Sequence, residues 1–360
     1  MKYIHTIINN AVTNPFIDIV NQNFNPNDHR FYVIRGMSQD LCRIRRSENV
    51  FIISNISNIL NGFRLMFDIL ISKIVFIHGL FTPYLVAILF FQPWVLKKCN
   101  WLIWGGDLYS FNKERLSFRS KLVEYMRARV IREMGRIITS IKGDYDLAKT
   151  WYNVKGTREN AYYPFELGTE QIDKILSKIE KDDNIRHLPT KIMIGNSAYD
   201  TNNHFEIIDL LQQYHNQNVK IYALLAYGDI KYAKKVCEKG KQIFGEKFIG
   251  ITDYVPFEEF VLFYNKIDIL IFNHERQQGL GNLFLALYLG KKIYINNKSP
   301  LWQFFKDDLG LIVNRTGDIG KKSFFEFSNA DNLIVEKNRQ IINTILQEDH
   351  LIKQWKELFS

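Results

Sequence analysis

Short runs of β-branched and aromatic residues alternate with stretches of helical periodicity along the whole chain. In the first half the runs Tyr3–Ile8, Phe31–Ile34, Val50–Ile53, Ile74–His78, Trp101–Trp104 and Arg136–Thr139 predict strands. In the second half Lys191–Ile194, Val219–Leu224, Lys247–Ile251, Ile269–Phe272 and Lys292–Ile295 do the same. Helical spacing fills the intervals, as in Asn203–Tyr214, Ile230–Phe244 and Phe257–Asn265. Runs that are apolar throughout belong to strands covered on both faces, which means parallel sheets flanked by helices.

The two series are separated by a charged stretch, Thr169–Asp183, followed by Leu188-Pro189. The expected organisation is a first domain over 1–165, a linker over 166–188, a second domain over 189–335, and a helical tail over 336–360 that crosses back to the first domain. The expected class is α/β: two Rossmann-like domains whose parallel sheets face a cleft. A chain of 360 residues is long for one domain and suits two. At 46% apolar residues, bulk disorder is excluded.

The cysteines, Cys42, Cys99 and Cys237, are few and far apart, so neither a disulfide framework nor a zinc site is expected. The first residues, MKYIHTIINNAVTNPF, lack the apolar core of a signal peptide. Leu80–Leu96 is strongly apolar but broken by Pro83, Gln92 and Pro93, and it falls short of the roughly 20 residues a spanning helix needs. A core helix or a membrane-apposed helix is expected there. Charge is uneven: residues 1–165 hold 22 Lys and Arg against 12 Asp and Glu, while the remainder is nearly neutral. No nucleic-acid-binding motif accompanies that charge, and no nucleic-acid partner is expected. Arg119–Arg136, with five arginines, reads either as a solvated helix face or as a dock on an anionic membrane surface.

In parallel sheets, ligands sit beyond the carboxyl ends of the strands, so the loops that follow strands are where chemistry is sought. Gly195-Asn196-Ser197 follows a strand and precedes a helix; it reads as a phosphate cradle or as a plain turn with a cap. Asp229 reads as the cap of the next helix. Tyr254, Val255 and Pro256 precede a helix and are candidates to pack a nucleotide base. His274-Glu275-Arg276-Gln277-Gln278-Gly279 crowds donors and a fixed charge ahead of a helix start, with Gly281 and Asn282 just inside it. Arg276 is a fork donor suited to phosphate, and Gln277 and Gln278 suit sugar hydroxyls or an acetamido group. Neither a complete dinucleotide fingerprint nor a Walker motif is present.

In the first half, His78-Gly79 and Gly105-Gly106-Asp107 occupy the same kind of position. Sugar transfer needs a group to take a hydroxyl proton, so Asp107 is a candidate base and His78 its alternative. Plain readings stand beside these, with Asp107 as a cap and His78 as a bond to a neighbouring loop. Asp144-Tyr145-Asp146 resembles a DxD metal motif but sits at a helix start, where capping explains it. No metal is expected.

Several segments together carry a resemblance: IHG at Ile77–Gly79 with Phe81 and Pro83, IWGGDLY at Ile103–Tyr109, GNS at Gly195–Ser197, RQQGLGN at Arg276–Asn282, and SPLWQ at Ser299–Gln303. The chain resembles the bacterial 4-acetamido-4,6-dideoxygalactose (Fuc4NAc) transferases that extend the lipid-linked intermediate of enterobacterial common antigen. The resemblance implies a GT-B glycosyltransferase fold, a dTDP-sugar donor bound by the second domain, and an undecaprenyl-diphosphate-linked acceptor near the first. It implies a peripheral enzyme at the cytoplasmic face of the inner membrane, with no cofactor. His274 and Glu275 depart from the family pattern. Rival readings are a nucleotide-sugar epimerase of double-Rossmann plan and a non-enzymatic sugar-binding protein.

Overall fold

The computed structural model describes residues 1–10, 12–34, 44–53, 59–164, 169–178 and 188–360. Among these residues thirteen strands form two sheets, parallel throughout. The first contains β1 (Tyr3–Ile8), β2 (His29–Ile34), β3 (Val50–Ile53), β4 (Ile74–His78), β5 (Cys99–Leu102), β6 (Arg136–Ile138) and β7 (Thr157–Glu159). Their spatial order is β3-β2-β1-β4-β5-β6-β7. The second contains β8 (Thr190–Ile194), β9 (Val219–Leu224), β10 (Phe248–Ile251), β11 (Ile269–Phe272), β12 (Lys292–Ile295) and β13 (Asn314–Arg315), ordered β10-β9-β8-β11-β12-β13. In each sheet the order reverses once, at β1/β4 and at β8/β11. Those are the points where an open parallel sheet offers a crevice.

Helices α1 (Thr13–Asn23), α2 (Ile59–Ile71), α3 (Pro83–Phe90), α4 (Phe118–Glu133) and α5 (Lys142–Tyr152) serve the first sheet. The segment Leu80–Leu96 thus becomes one short helix and a 3-10 turn, Pro93–Lys98. No helix among the described residues is long and apolar enough to cross a membrane. The second sheet carries α6 (Thr169–Ser177), α7 (His204–Leu211), α8 (Ile230–Phe244), α9 (Phe257–Asn265), α10 (Leu280–Tyr288), α11 (Pro300–Gln303), α12 (Phe324–Ser328) and α13 (Asn332–Leu346). A last helix, α14 (Glu348–Leu358), follows after Gln347.

The chain divides into two compact units, 1–167 with 348–360 and 168–347. Of the expected linker, residues 166–168 and 179–187 lie outside the described residues, and α6 belongs to the second unit. The tail is two helices rather than one, assigned to different units. Unit 1 has a core on each side of its sheet. Leu65, Leu85, Leu89, Val130 and Ile131 from α2, α3 and α4 meet on one side, while Phe16 of α1 and Trp355 and Leu358 of α14 meet on the other. Helix α4 departs from its apolar spacing. Val130 and Met134 are buried, but Leu122 is 47% exposed and Arg127 is 4% exposed.

Candidate functional site

In unit 2 the site grows from the adjacent ends of β8 and β11. Gly195 ends β8 at φ +64°, and a Cβ there would come within 2.2 Å of His204 Nε2, so no side chain fits. Asn202 then closes the loop with four bonds. Its Oδ1 accepts from the Asn196 amide (2.8 Å) and pairs with His274 Nε2 (2.7 Å), while its Nδ2 donates to Ser197 Oγ (2.9 Å) and Tyr199 O (3.1 Å). His274 is therefore an internal rivet between the β8 and β11 loops, and burial pushes its pKa down to about 3, keeping it neutral. Glu275 points outward and pairs with Lys298 at 3.3 Å.

Gln278 ties the same loops from above. Its Nε2 donates to Asn196 Oδ1 (3.0 Å) and Ser197 Oγ (2.9 Å), and its Oε1 accepts from Arg276 Nε (3.1 Å) and Thr201 Oγ1 (3.0 Å). All four bonding positions of the amide are used. Through these bonds Gln278 orients Arg276 and the Asn196-Ser197 turn. The guanidinium is thereby held beside the start of α10, whose cap residue Gly279 sits at φ +69°. First-turn amides of a helix lack partners within the helix, and with its dipole they favour an anion. A Cβ on Gly281 would meet nothing, so the helix start is open to a close approach. Gln277 and Asn282 lie half-buried on the same turn.

The β9 loop joins this network through Tyr227, which sequence reasoning passed over. Its hydroxyl accepts from Asn196 Nδ2 at 2.8 Å, and its backbone carbonyl accepts from the Ala198 amide at 2.7 Å. An exposed aromatic in a loop after a strand was the available signal. Asp229 caps α8, accepting from the Lys231 and Tyr232 amides. Tyr254, Val255 and Pro256 follow β10 at the sheet edge, with Tyr254 exposed and Pro256 capping α9. One strand separates β10 from β8, a gap of about 10 Å at normal strand spacing.

Unit 1 encloses both Asp107 and His78 in its own bonds. Asp107 is 1% exposed, and both its carboxylate oxygens are occupied. Oδ2 accepts from the Leu80 amide (3.1 Å) and Trp101 Nε1 (2.6 Å); Oδ1 accepts from the amides of Trp104 (2.9 Å) and Leu108 (3.0 Å). A carboxylate so saturated is a clamp between the post-β4 and post-β5 loops and has no lone pair directed at a substrate. Arg127 completes the clamp from α4, donating to the carbonyls of Leu80 and Asp107, to Ser110 Oγ and to Tyr152 OH. It is unavailable as a membrane-facing charge.

His78 is likewise enclosed. Its Nδ1 meets Tyr163 OH at 2.5 Å and its Nε2 meets His5 Nδ1 at 3.1 Å; His5 Nε2 meets His29 Nδ1 at 3.1 Å. Trp104 Nε1 can only donate to Tyr163 OH (2.9 Å), so the tyrosine proton is assigned to His78, His78 Nε2 then donates to His5, and His5 Nε2 donates to His29. Burial keeps His78 neutral, with a pKa down to about 3, and His29 at about 4. Asp144 is not a cap, since its helix begins after Ile141 without a side-chain cap bond. It is a buried carboxyl accepting from Tyr109 OH (3.4 Å), raised to about 8 by burial and then by the Asp107 charge. Among the described residues, no group of three His, Cys, Asp or Glu is placed to hold a metal.

Comparison with known proteins agrees with this architecture. The family described as 4-alpha-L-fucosyltransferase glycosyl transferase group 56 matches residues 9–358. A solved glycosyltransferase from Rickettsia africae ESF-5 is 13% identical at a TM-score of 0.62, covering 99% of this chain and 98% of its own. Anabaena Alr3699/HepE, solved in complex with UDP, is 9% identical at 0.66, with 99% of each chain covered. WaaG, a glycosyltransferase involved in lipopolysaccharide biosynthesis, is 8% identical at 0.60, covering 99% and 98%. The fold is GT-B, which the parallel seven- and six-stranded sheets fit.

Proposed function

The chain belongs to the 4-alpha-L-fucosyltransferase family, glycosyl transferase group 56, and is a glycosyltransferase; on that premise we propose that it moves a Fuc4NAc-type sugar from a dTDP-sugar to a saccharide on undecaprenyl diphosphate. The donor diphosphate lies at the start of α10 against Arg276, and Gly195, Asn196, Ser197, Gly279 and Gly281 shape its cradle. Tyr254, Val255 and Pro256 take the base. Gln277 and Asn282 face the sugar. The bond from the sugar's anomeric carbon to the diphosphate breaks, a bond to the acceptor hydroxyl oxygen forms, and that hydroxyl gives up its proton.

Arg276 and the helix dipole offset the charge that gathers on the departing diphosphate, so the reading needs no metal. Asp107 and His78 enter it as positioning residues of unit 1, holding the loops that would receive the acceptor. The enzyme works at the cytoplasmic face of the inner membrane as a peripheral protein, and the product feeds a bacterial surface polysaccharide.

The observation that carries the proposal is the pairing of Arg276 with Gln278 beside the Gly279 cap. A hydrogen bond to a charged group contributes about 1.5–3 kcal/mol. Arg276→Ala should therefore weaken dTDP binding roughly 10- to 100-fold by titration calorimetry. Unchanged affinity in a folded variant would remove the diphosphate from this turn.

A further inference from the structure

We propose that the outer surface of α3 and α4 seats the protein on an anionic lipid leaflet by burying an aromatic tip, with flanking cations at the headgroups. This rests on the reading that the acceptor is carried on a lipid, and it names the surface that reaches it. The inner sides of α2, α3 and α4 meet in one core on one face of the first sheet, so their outer sides turn away from that sheet together. On that outer side Phe118, Leu122 and Tyr125 recur at helical spacing along α4, with exposures of 81%, 47% and 59%. Just past α3, Phe91 and Trp94 are 70% and 68% exposed. The two sets are joined by Phe90, whose ring lies 5.5 Å from Phe91 and 6.4 Å from Tyr125. Isolated exposed apolar residues need no explanation, but a contiguous aromatic patch does.

The charges around it select the occupant. Lys113, Arg119, Lys121 and Arg129 are exposed. The nearby carboxylates are engaged within the protein: Glu124 pairs with Arg115 (2.9 Å) and Arg127 (3.2 Å), and Glu133 with Lys155 (2.6 Å). Glu114 alone, among residues 113–133, carries a carboxylate with no ion pair. A second copy of the chain docking face to face would bring cations against cations, because a twofold interface presents the same patch from both sides. An anionic leaflet complements the fringe, and Trp and Tyr settle at the bilayer interface. Helix α2 also exposes Phe63 (61%) and Phe67 (58%), but its cation Arg64 lies over the Phe51 ring at 4.1 Å and Asp68 pairs with Arg30. Among its described residues α2 carries no cation besides Arg64, and it serves as the internal control.

The test is co-sedimentation of the full chain with vesicles of phosphatidylcholine alone or mixed with phosphatidylglycerol. Wild type should pellet with the anionic vesicles. Trp94→Ser with Phe118→Ser and Leu122→Ser should lower partitioning on the order of 10-fold or more. Arg119→Glu with Lys121→Glu and Arg129→Glu should abolish the preference for phosphatidylglycerol. Phe63→Ser with Phe67→Ser should leave binding unchanged, and retention of the unit 1 thermal transition should confirm that every variant is folded. The proposal is overturned if wild type ignores phosphatidylglycerol vesicles at low salt, or if the α2 variant releases the protein as fully as the α4 variant. It is overturned equally if the α4 variant only converts a dimer to a monomer by light scattering. Donor binding fails or survives independently of these results, so loss of dTDP binding in wild type would strike the transfer reading and not the docking face.

Discussion

Asp107 shows how little of a residue's surroundings its neighbours in sequence reveal. Two glycines before it suggest room for a ligand, yet that room is filled by donors arriving from Leu80 and Trp101, which no local pattern predicts. Its substitution by Asn should act on stability first. The amide nitrogen would face a donor where an oxygen accepted, leaving a buried N–H unsatisfied at a cost of about 1–3 kcal/mol. Asp107→Asn should lower the melting temperature while dTDP affinity, which belongs to unit 2, stays at its wild-type value. An unchanged melting temperature with a large loss of turnover would instead make Asp107 the base. Gly195, Gly279 and Arg276 were legible because a glycine required by its backbone, or a charge next to a helix start, announces itself locally. Arg127 was not, because an arginine on a charged helix looks the same whether it meets water or four buried acceptors.

At the scale of elements, the central strands were legible because burial on both faces leaves an unbroken apolar run. The edge strands β7, Thr-Arg-Glu, and β13, Asn-Arg, were not, since an edge needs no such run and polar residues suit it. Strand β5 begins at Cys99, two residues before the expected start, because its ladder to β4 opens at the pair Val75–Cys99. Helix α5 and the histidine row across β1, β2 and β4 set opposite pH limits. Asp144 has a folded pKa of about 8, above the roughly 3.9 of an unfolded Asp, so its contribution is full below that lower value and is lost as pH rises toward 8. His78 is depressed to about 3 and His29 to about 4 from an unfolded value near 6.5. Their contribution is present above about 6.5 and is lost as pH falls toward those folded values. Asp144→Asn should therefore raise the melting temperature at pH 9 far more than at pH 4, since the Tyr109 hydroxyl can still donate to the amide oxygen. Parallel melting curves for the two proteins across that range would show that the carboxyl is not held protonated.

For the whole molecule, the decisive feature is the return of the chain after Gln347. Helix α14 is short and half polar, and the expected return of the tail to the first domain holds for it, though not for α13. In the structure it fills the α1 side of the first core. Trp355 is 1% exposed, donates from Nε1 to Tyr162 O at 3.0 Å, and packs its ring 4.6 Å from Phe16; Leu358 and Phe359 are buried beside it. Deleting a buried Trp side chain alone costs about 3–5 kcal/mol, a large share of the 5–15 kcal/mol that holds a typical domain folded. Unit 2 keeps its own core, built from Ile192, Ile194, Ile208, Ile221 and Ile271, none of which depends on the tail. Stopping the chain at Gln347 should therefore unfold unit 1 and spare unit 2. Calorimetry of the full chain should show two transitions, with only the unit 2 transition left after truncation. The truncated protein should still bind dTDP while limited proteolysis removes residues 1–167. A truncated chain that keeps both transitions would mean the tail is dispensable to the first core. Loss of both would mean that unit 2 cannot stand without unit 1, and that the two sheets fold as one.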